Sequence, residues 1–331
     1  MHLPKFEHQR PTSLEEAVQL IKEYGSRAQI VAGGTDLYPR MKYGLLRPGA
    51  IISLKGVTVK SPATAGEGGL HLDGLMPLAG VVRSPLILEK APLLAEAALS
   101  VASNQIRHMA TLGGNLCLET RCTYYNQSHT YQYVEPCFKR NGDRCYLIPK
   151  GKKCQAVFMA DTVPALICLD AKVEIQTDTK SRQIPVEAFY TGDPLSPLAL
   201  SEGELVRGVI IPDSATIRGS GFTKFSLRGG MEFGAVTVAA LLDVADDGET
   251  CNKARIGVGS VSAKPVRAVK AEKALTGEKL SEELSREVAK KIATEIRPVM
   301  HHGYSIPFLR ECLEVQAFRT LTLATGRIPK D

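Results

Sequence analysis

The chain has 331 residues, of which 44% are hydrophobic and 23% charged, and it carries a formal net charge of +6 at pH 7. This length and composition are those of a globular protein with room for two domains. The positive charge is scattered, which argues against a nucleic-acid-binding surface, and no run of about 18 apolar residues predicts a membrane span. Because no apolar stretch follows Met1, we expect no secretion signal, a cytoplasmic location, and cysteines that are thiols or metal ligands rather than disulfides.

The first predicted elements are a helix, a strand and a glycine turn. Ser13 and Glu16 have the spacing of a capping box, and Gly25 ends the helix. A strand over residues 29–32 then breaks into Gly33-Gly34-Thr35-Asp36. Two adjacent residues without a Cβ allow backbone N–H groups to approach an anion closely. A tight turn without a ligand is the simpler explanation of a single pair.

A second glycine pair follows about 80 positions later. Strands are predicted over residues 51–54 and 70–72 and a helix over residues 93–101, and Gly113-Gly114 comes shortly after them. Each glycine pair has a hydroxyl residue beside it, Thr35 or Thr111, so the two could hold the two ends of a pyrophosphate. Neither has the Gly-x-Gly-x-x-Gly pattern or a Lys-Ser/Thr ending, so a Rossmann or P-loop assignment is not supported.

Five of the eight cysteines fall within 38 positions of a polar and aromatic segment. Four of them, Cys122, Cys137, Cys145 and Cys154, are separated by 14, 7 and 8 residues, which is the spacing of neither zinc knuckles nor bacterial ferredoxins. Four thiols in a loop that can hardly build its own core favour a shared metal group. From the residues alone, an iron–sulfur cluster, a structural zinc ion and unligated thiols all remain open. The fifth, Cys117, follows the second glycine turn, and we expect the backbone there to keep it from a metal.

The rest of the chain predicts the end of the first domain and a second α+β unit. A helix is expected over residues 164–168, and the proline- and serine-rich segment 194–204 reads as an interdomain connection. The remaining predicted strands are 172–176, 206–211, 222–227, 236–244 and 254–261. The remaining predicted helices are 266–275, 281–296 and 306–324.

Several side chains allow two interpretations each. Asp161 could accept hydrogen bonds from sugar-like hydroxyls or cap the following helix. His301-His302 invites a metal interpretation, but a solvated turn is favoured because neighbouring histidines usually point apart. The cysteines outside the loop fit apolar patterns, and the loop tyrosines are expected to pack within the loop. These cysteines are Cys168, Cys251 and Cys312, and these tyrosines are Tyr124, Tyr125, Tyr131 and Tyr133.

Three motifs in this order carry a resemblance to a known family. They are Val-Ala-Gly-Gly-Thr-Asp-Leu at 31–37, Thr-Leu-Gly-Gly-Asn-Leu at 111–116 and Asp-x-x-Pro-Ala-Leu at 161–166. Together they resemble the FAD-binding medium subunit of the molybdenum hydroxylases, the xanthine dehydrogenase and carbon monoxide dehydrogenase group. The resemblance implies an α+β fold, with an FAD-binding domain of two α/β subdomains over residues 1–212 and a C-terminal α+β flavoprotein domain over residues 219–326.

The same resemblance implies the cofactor contacts. The two glycine segments would hold the FAD pyrophosphate, and the aspartate would contact the ribityl or ribose portion. An acidic residue near the flavin ring is matched by Glu232. The implied FAD-binding residues are Ala32, Gly33, Gly34, Thr35, Asp36, Leu37, Thr111, Gly113, Gly114, Asn115 and Asp161.

The insertion at residues 117–158 is similar to a loop of the β subunits of 4-hydroxybenzoyl-CoA reductases. In that subfamily the loop carries a 4Fe–4S cluster on four cysteines, which correspond here to Cys122, Cys137, Cys145 and Cys154. The resemblance thus implies an electron-transfer subunit without catalytic residues of its own. Electrons would pass from a ferredoxin-like donor through the cluster and FAD to a small 2Fe–2S subunit and a large molybdopterin subunit of a heterotrimer, where 4-hydroxybenzoyl-CoA is reductively dehydroxylated.

Two other functions remain open at this stage. In the first, the family is kept but electrons flow from a substrate through FAD to an external acceptor. In the second, the chain is a zinc-stapled interaction protein without flavin, and both glycine pairs are only turns.

Overall fold

The computed structural model of the chain describes residues 2–59, 63–66, 69–127, 135–213 and 219–328. These residues form three sheets of three, five and four strands. The first two sheets belong to two small units of an N-terminal domain, and the third belongs to a C-terminal domain. The predicted α+β architecture is therefore confirmed. In the described ranges, no helix is both long enough and apolar enough to cross a membrane.

The first unit is a parallel sheet with two helices. Its elements are β1 (Glu7–Gln9), α1 (Leu14–Tyr24), a 3₁₀ turn (Gly25–Arg27), β2 (Ala28–Val31), α2 (Leu37–Lys42), β3 (Ala50–Ser53) and a 3₁₀ turn (Leu54–Gly56). The strand order is β1-β3-β2. Helix α1 begins where Ser13 Oγ accepts from Glu16 N at 3.1 Å and ends at Gly25, whose φ is +54°. The Glu16 carboxylate reaches back as the predicted capping box requires: it accepts from Thr12 N at 2.7 Å and interacts more weakly with the Ser13 backbone N–H.

The second unit is an antiparallel sheet covered by short helices. Its strands are β4 (Ala63–Gly66), β5 (Gly69–Asp73), β6 (Lys172–Gln176), β7 (Ser181–Pro185) and β8 (Leu205–Ile211), in the order β4-β5-β8-β6-β7. Its helices are α3 (Leu78–Arg83), α4 (Pro85–Lys90), α5 (Pro92–Leu99), α6 (Asn104–Met109), α7 (Leu112–Leu116) and α8 (Thr162–Cys168). Two 3₁₀ turns (Phe138–Arg140 and Val186–Phe189) complete the unit. Its core lies between sheet and helices and includes Leu94, Leu112, Leu166 and Phe189.

The predicted interdomain connection at 194–204 is wrong. This segment lies within the second unit, between β7 and β8, and Arg182 of β7 holds Glu204 by an ion pair of 2.7 Å. The chain leaves the domain only after β8, where Ile211 pairs with Leu70 of β5. Prolines and serines identified a loop correctly, but composition does not tell which elements a loop joins.

The C-terminal domain is an antiparallel sheet packed on helices. Its elements are β9 (Gly219–Phe225), β10 (Val236–Val244), β11 (Cys251–Gly259), β12 (Val266–Arg267), α9 (Val269–Leu275), α10 (Glu282–Glu295) and α11 (Ile306–Gly326), with strand order β12-β11-β10-β9. The helix expected from residue 266 begins three residues later, because Val266 pairs with Val258 of the neighbouring strand. The apolar residues from Val266 onward therefore belong first to a short edge strand and only then to the helix.

The two domains meet where α8 packs on β10 and β11. A Cβ on Gly257 would lie 2.5 Å from the carbonyl oxygen of Pro164, so only glycine permits this close approach. Cys168 Sγ lies 3.4 Å from Ala239 O across the same interface. As a result, the start of α8, and with it Asp161, is fixed beside strand β9.

Candidate functional site

A cavity of about 570 Å³ lies where the three units meet, within the range of about 300–1,000 Å³ usual for cofactor sites. The first unit contributes the end of β2 and the start of α2, and the second contributes α7 and Asp161. The C-terminal domain closes the cavity with Arg228, Met231, Glu232, Phe233 and His302. The predicted residues that line it are Ala32, Gly33, Gly34, Thr35, Asp36, Leu37, Thr111, Gly114, Asn115 and Asp161.

The first glycine pair packs closely against the backbone just before the second glycine segment. A Cβ on Gly33 would lie only 1.9 Å from Met109 O, at the end of α6. Gly34 has a φ of +73°, and a Cβ there would lie 2.4 Å from the Tyr38 ring. These glycines are thus required by packing as well as by any ligand, which the sequence did not indicate.

The second glycine pair lies in a short helix rather than in a turn. Thr111 caps α7 by accepting from Gly114 N at 3.1 Å. Gly113 does not line the cavity, because its N–H donates to Gly74 O at 2.7 Å and it packs against that residue. Asn115 is buried, and its Oδ1 accepts from Thr162 Oγ1 at 2.6 Å, which ties α7 to α8. Of this pair, only Gly114 faces the cavity.

Asp161 pairs with a lysine that sequence reasoning missed. Lys224 Nζ, on β9, lies 2.6 Å from Asp161 Oδ2 and also donates to Ser100 O and Glu232 O at 3.0 Å. Asp161 makes no cap bond to α8, so the helix-cap interpretation is wrong. Burial raises the pKa of Asp161 to about 6, and the charge and hydrogen bond of Lys224 work in the opposite direction. The motif that contains Asp161 does not indicate an ion-pair partner 63 residues away.

The polar and apolar groups that line the cavity suit FAD. Asp161 is only 3% exposed, and its Oδ1 is buried without a partner, so it can accept a hydrogen bond from a ligand hydroxyl. Apolar side chains, among them Val101, Ile106 and Met159, line the same cavity. Such a mixture suits a ligand that combines a flat aromatic ring with a polyhydroxyl chain.

His301 and His302 lie in the turn expected before the last helix, but only His302 is exposed to solvent there. His301 is fully buried, with Nδ1 2.6 Å from Val299 O and Nε2 2.9 Å from Ala235 O. His302 lines the solvent-exposed edge of the cavity, where partial loss of hydration and the His301 charge lower its pKa. His302 is therefore a polar, solvent-facing part of the cavity wall.

The four loop cysteines line one second, smaller cavity. Cys122, Cys137, Cys145 and Cys154 surround a space of about 10 Å³, together with Lys139 and Tyr124. Burial raises the pKa of Cys122 to about 11, against hydrogen bonds from backbone N–H groups, so its thiol is protonated at neutral pH. Burial also raises the pKa of Cys154, against a backbone hydrogen bond and the Lys139 charge.

This donor set fits a four-thiolate group in its chemistry, although the space is smaller than a cluster. In the described ranges, no three Cys, His, Asp or Glu side chains are arranged to bind one metal ion. All four cysteines line this cavity, and the loop would have to rearrange and widen to bring their thiols onto one cluster. Binding would also release the thiol protons.

The remaining cysteines lie elsewhere. Cys117 lines the large cavity at the end of α7 and is not among the residues that line the cysteine cavity. Cys168 and Cys251 are buried in the cores, and Cys312 is half-buried against one of them. All eight cysteines lie in the described ranges and are free thiols. Of the loop tyrosines, Tyr125 is 5% exposed, while Tyr131 and Tyr133 lie outside the described residues.

Comparison with known proteins agrees with this geometry. The family model of the FAD binding domain in molybdopterin dehydrogenase matches residues 4–214, and that of the CO dehydrogenase flavoprotein C-terminal domain matches residues 222–324. The chain is 29% identical over 264 residues to the aldehyde oxidoreductase FAD-binding subunit PaoB of Escherichia coli strain K12, which covers 75% of this chain and 79% of that protein. It is 26% identical over 276 residues to the carbon monoxide dehydrogenase medium chain of Afipia carboxidovorans, at 83% and 81% coverage.

The fold has a close counterpart among solved structures. A chain in the crystal structure of the cyanide-inactivated Cu,Mo-CO dehydrogenase superposes with a TM-score of 0.81 at 23% identity, over 99% of this chain and 100% of that one. Fold and cavity thus define a flavin-binding oxidoreductase subunit. The chain belongs to the family of FAD-binding subunits of molybdopterin dehydrogenases, because the family model of their FAD domain covers most of its length. The predicted relation to the carbon monoxide dehydrogenase group is confirmed.

Proposed function

We propose that the chain is the FAD and 4Fe–4S electron-transfer subunit of a molybdenum-containing reductase of the 4-hydroxybenzoyl-CoA reductase type. The observation that carries this proposal is that four cysteines, spread over 33 positions of one loop, line a single cavity beside the FAD-binding domain. Core packing does not require four thiols at one place in a polar loop. We place the 4Fe–4S cluster on Cys122, Cys137, Cys145 and Cys154.

The large cavity is the proposed FAD site. The first glycine segment, Thr111, Gly114 and Asn115 would hold the cofactor, and the unpaired Oδ1 of Asp161 would accept a hydrogen bond from its hydroxyl chain. Lys224 keeps Asp161 ionised and oriented by a bond of 2.6 Å. FAD supplies the ability to exchange one or two electrons when it is bound.

The proposed partners follow from the same assignment. The relative from Afipia carboxidovorans is named a medium chain, which supports a complex with a small 2Fe–2S subunit and a large molybdopterin subunit. A ferredoxin-like donor would deliver electrons at the cysteine loop, and the reaction at the large subunit would be the reductive dehydroxylation of 4-hydroxybenzoyl-CoA. No residue of this chain is assigned to the substrate. A cytoplasmic location is part of this proposal.

The names of the relatives favour a second candidate. One of them is named a carbon monoxide dehydrogenase chain, and a dehydrogenase oxidises its substrate. In this candidate, electrons run from the large subunit through FAD to an external acceptor, and the loop is a relay. A cluster potential far above that of low-potential ferredoxins would favour this direction.

The first test is the flavin, iron and zinc content of the anaerobically purified full chain, with its absorption spectrum. We expect about one FAD and about four irons per chain. The double variant Cys137→Ser, Cys145→Ser should lose the iron and keep the flavin, whereas Cys312→Ser, a matched control outside the loop, should keep both.

The other outcomes separate the proposals. Flavin with zinc, or flavin with no metal, would overturn the cluster and the electron-entry role while leaving the flavoprotein assignment intact. A colourless preparation with zinc would support the cofactor-free interaction protein. Iron that persists in the double variant would show that the loop cysteines are not its ligands.

A further inference from the structure

A chain of ionic side chains, with buried cationic groups and half-buried carboxylates, joins the FAD cavity to the cysteine cavity. Lys139 Nζ lies 2.9 Å from Glu119 Oε1, and Glu119 Oε2 lies 3.3 Å from Arg40 Nη2. Arg40 Nη1 is 3.6 Å from Asp36 Oδ2, and Asp36 forms an ion pair with Arg121. The signs therefore alternate from one end to the other, and a cation stands at each end.

Different members of this ionic chain belong to the two sites. Asp36 and Arg40 line the FAD cavity, and Lys139 lines the cysteine cavity. Arg121 directly precedes Cys122, and its guanidinium lies 5.5 Å from the ring centroid of Phe233 in the FAD cavity wall. The charged side chains at one cavity are thus linked by ion pairs to those at the other.

Tyr125 reinforces the connection. Its backbone N–H points to Cys122 Sγ at 3.3 Å, and its ring centroid lies 5.3 Å from Lys139 Nζ. Its hydroxyl is 3.5 Å from Arg40 Nη2. One buried side chain therefore spans the distance between a cysteine of the loop and an arginine of the FAD cavity.

The ionic chain carries a surplus of positive charge. Three cations face two carboxylates, which leaves a net charge of +1. The cationic side chains are only 6–11% exposed, so water screens this charge poorly. A buried surplus charge is costly unless an anion compensates it. An iron–sulfur group on four thiolates is such an anion, and each electron it accepts adds one negative charge.

We propose that this ionic chain is an electrostatic bridge between the two redox sites, and that the ammonium of Lys139 stabilises the reduced form of the iron–sulfur group held by the four loop cysteines. Lys139 is suited to this because Glu119 Oε1, Thr120 Oγ1 and Pro194 O fix its position at 2.6–2.9 Å. The inference rests on the proposed function, since it needs a redox group in the cysteine cavity. Lys139 is a positioning residue for charge, not a ligand.

The test is a reductive titration of the full chain with dithionite and redox dyes, followed by the absorption and electron paramagnetic resonance of the cluster. In Lys139→Gln the equilibrium constant for one-electron reduction should fall by on the order of tenfold, as expected for a unit charge about 10 Å away at an effective dielectric constant of about 20. This corresponds to about 59 mV for one electron. Lys139→Arg should restore the wild-type potential.

Two further variants separate charge from structural damage. Glu119→Gln removes a carboxylate, enlarges the positive surplus, and should shift the cluster potential upward, in the opposite direction to Lys139→Gln. Lys153→Gln removes an exposed charge next to Cys154 and should change the potential little, because water screens it.

The outcomes distinguish this inference from the proposed function. A wild-type chain without iron would overturn the proposed cluster and, with it, this role of Lys139. A wild-type chain with iron whose potential is the same in Lys139→Gln would overturn the inference alone. If Lys139→Gln loses its iron, the test rests on the cluster potential of Glu119→Gln. An unchanged or lowered potential in that variant would contradict the proposed electrostatic bridge.

Discussion

Asp161 is a carboxyl group that the fold removes from water and leaves with one oxygen unpartnered. Burial raises its pKa from 3.8 to about 6, although Lys224 lies 2.6 Å away. Because the folded pKa lies above the unfolded one, ionisation of Asp161 opposes folding. The contribution is most favourable below about pH 4 and is lost as the pH rises through about 6. Such destabilised groups are typical of ligand sites.

The variant Asp161→Asn should reveal this cost in the flavin-free protein. Between about pH 4 and pH 7, the free energy of unfolding of the wild type should fall relative to that of the variant by about 3 kcal/mol, the equivalent of about two pKa units. Urea unfolding at a series of pH values measures the difference. The exposed residue Asp143 provides the control, because Asp143→Asn should show no such trend over this range. Parallel curves for wild type and Asp161→Asn would contradict a raised pKa.

At the scale of elements, the two glycine segments depend on each other through Gly33. The missing Cβ of Gly33 is what allows the end of β2 to pack on the last carbonyl group of α6. Residues 104–109 would have to move to accept any side chain there, and backbone cannot move as cheaply as a flexible side-chain end.

The variant Gly33→Ala should therefore lose stability by about 1–3 kcal/mol, the usual cost of overpacking, and should retain less FAD. Thermal unfolding and the flavin-to-protein absorbance ratio measure the two effects. Gly230→Ala is the matched control in the C-terminal domain, because a Cβ there meets nothing within 4 Å. Equal flavin retention in both variants would show that the segments do not need this contact.

Some helices and strands could be predicted from the sequence and others could not. Helix α1 and strands β6 and β10 were predicted closely, because a serine cap, a glycine stop and apolar periodicity are local signals. The strand at Val266 was missed, since two residues at a sheet edge carry no periodicity of their own. Tertiary pairing decided their conformation.

The candidate site divides in the same way. The glycine segments and Asp161 were found because they form short motifs, and ten of the eleven predicted residues line the cavity. Lys224 and His301 were missed, because their roles depend on contacts with residues 63 and 66 positions away. Nothing in the order of residues 119–121 indicated that Glu119 would be shared between Arg40 and Lys139.

At the scale of the whole molecule, the FAD cavity exists only where the two domains are joined. The C-terminal domain supplies its closing wall, and Lys224 from that domain holds Asp161 of the other. The interface is also a shared core, because Ala239 and Leu241 of β10 belong to the same apolar cluster as Leu166 of α8. Separate unfolding of either domain would expose this cluster to water.

We therefore expect a single calorimetric unfolding transition for the full chain, with equal van't Hoff and calorimetric enthalpies. Arg255 tests the interface directly, since it is 5% exposed, forms an ion pair with Asp170, and donates to Cys168 O at 3.3 Å. Arg255→Met should lower the stability of the whole molecule by about 2 kcal/mol, because Asp170 is partly exposed and water replaces some of the lost interaction. Lys279→Met, in an exposed ion pair, should change it by less than about 1 kcal/mol. Two resolved transitions in the wild type would mean that the domains fold independently and that FAD, rather than the shared core, holds the cavity together.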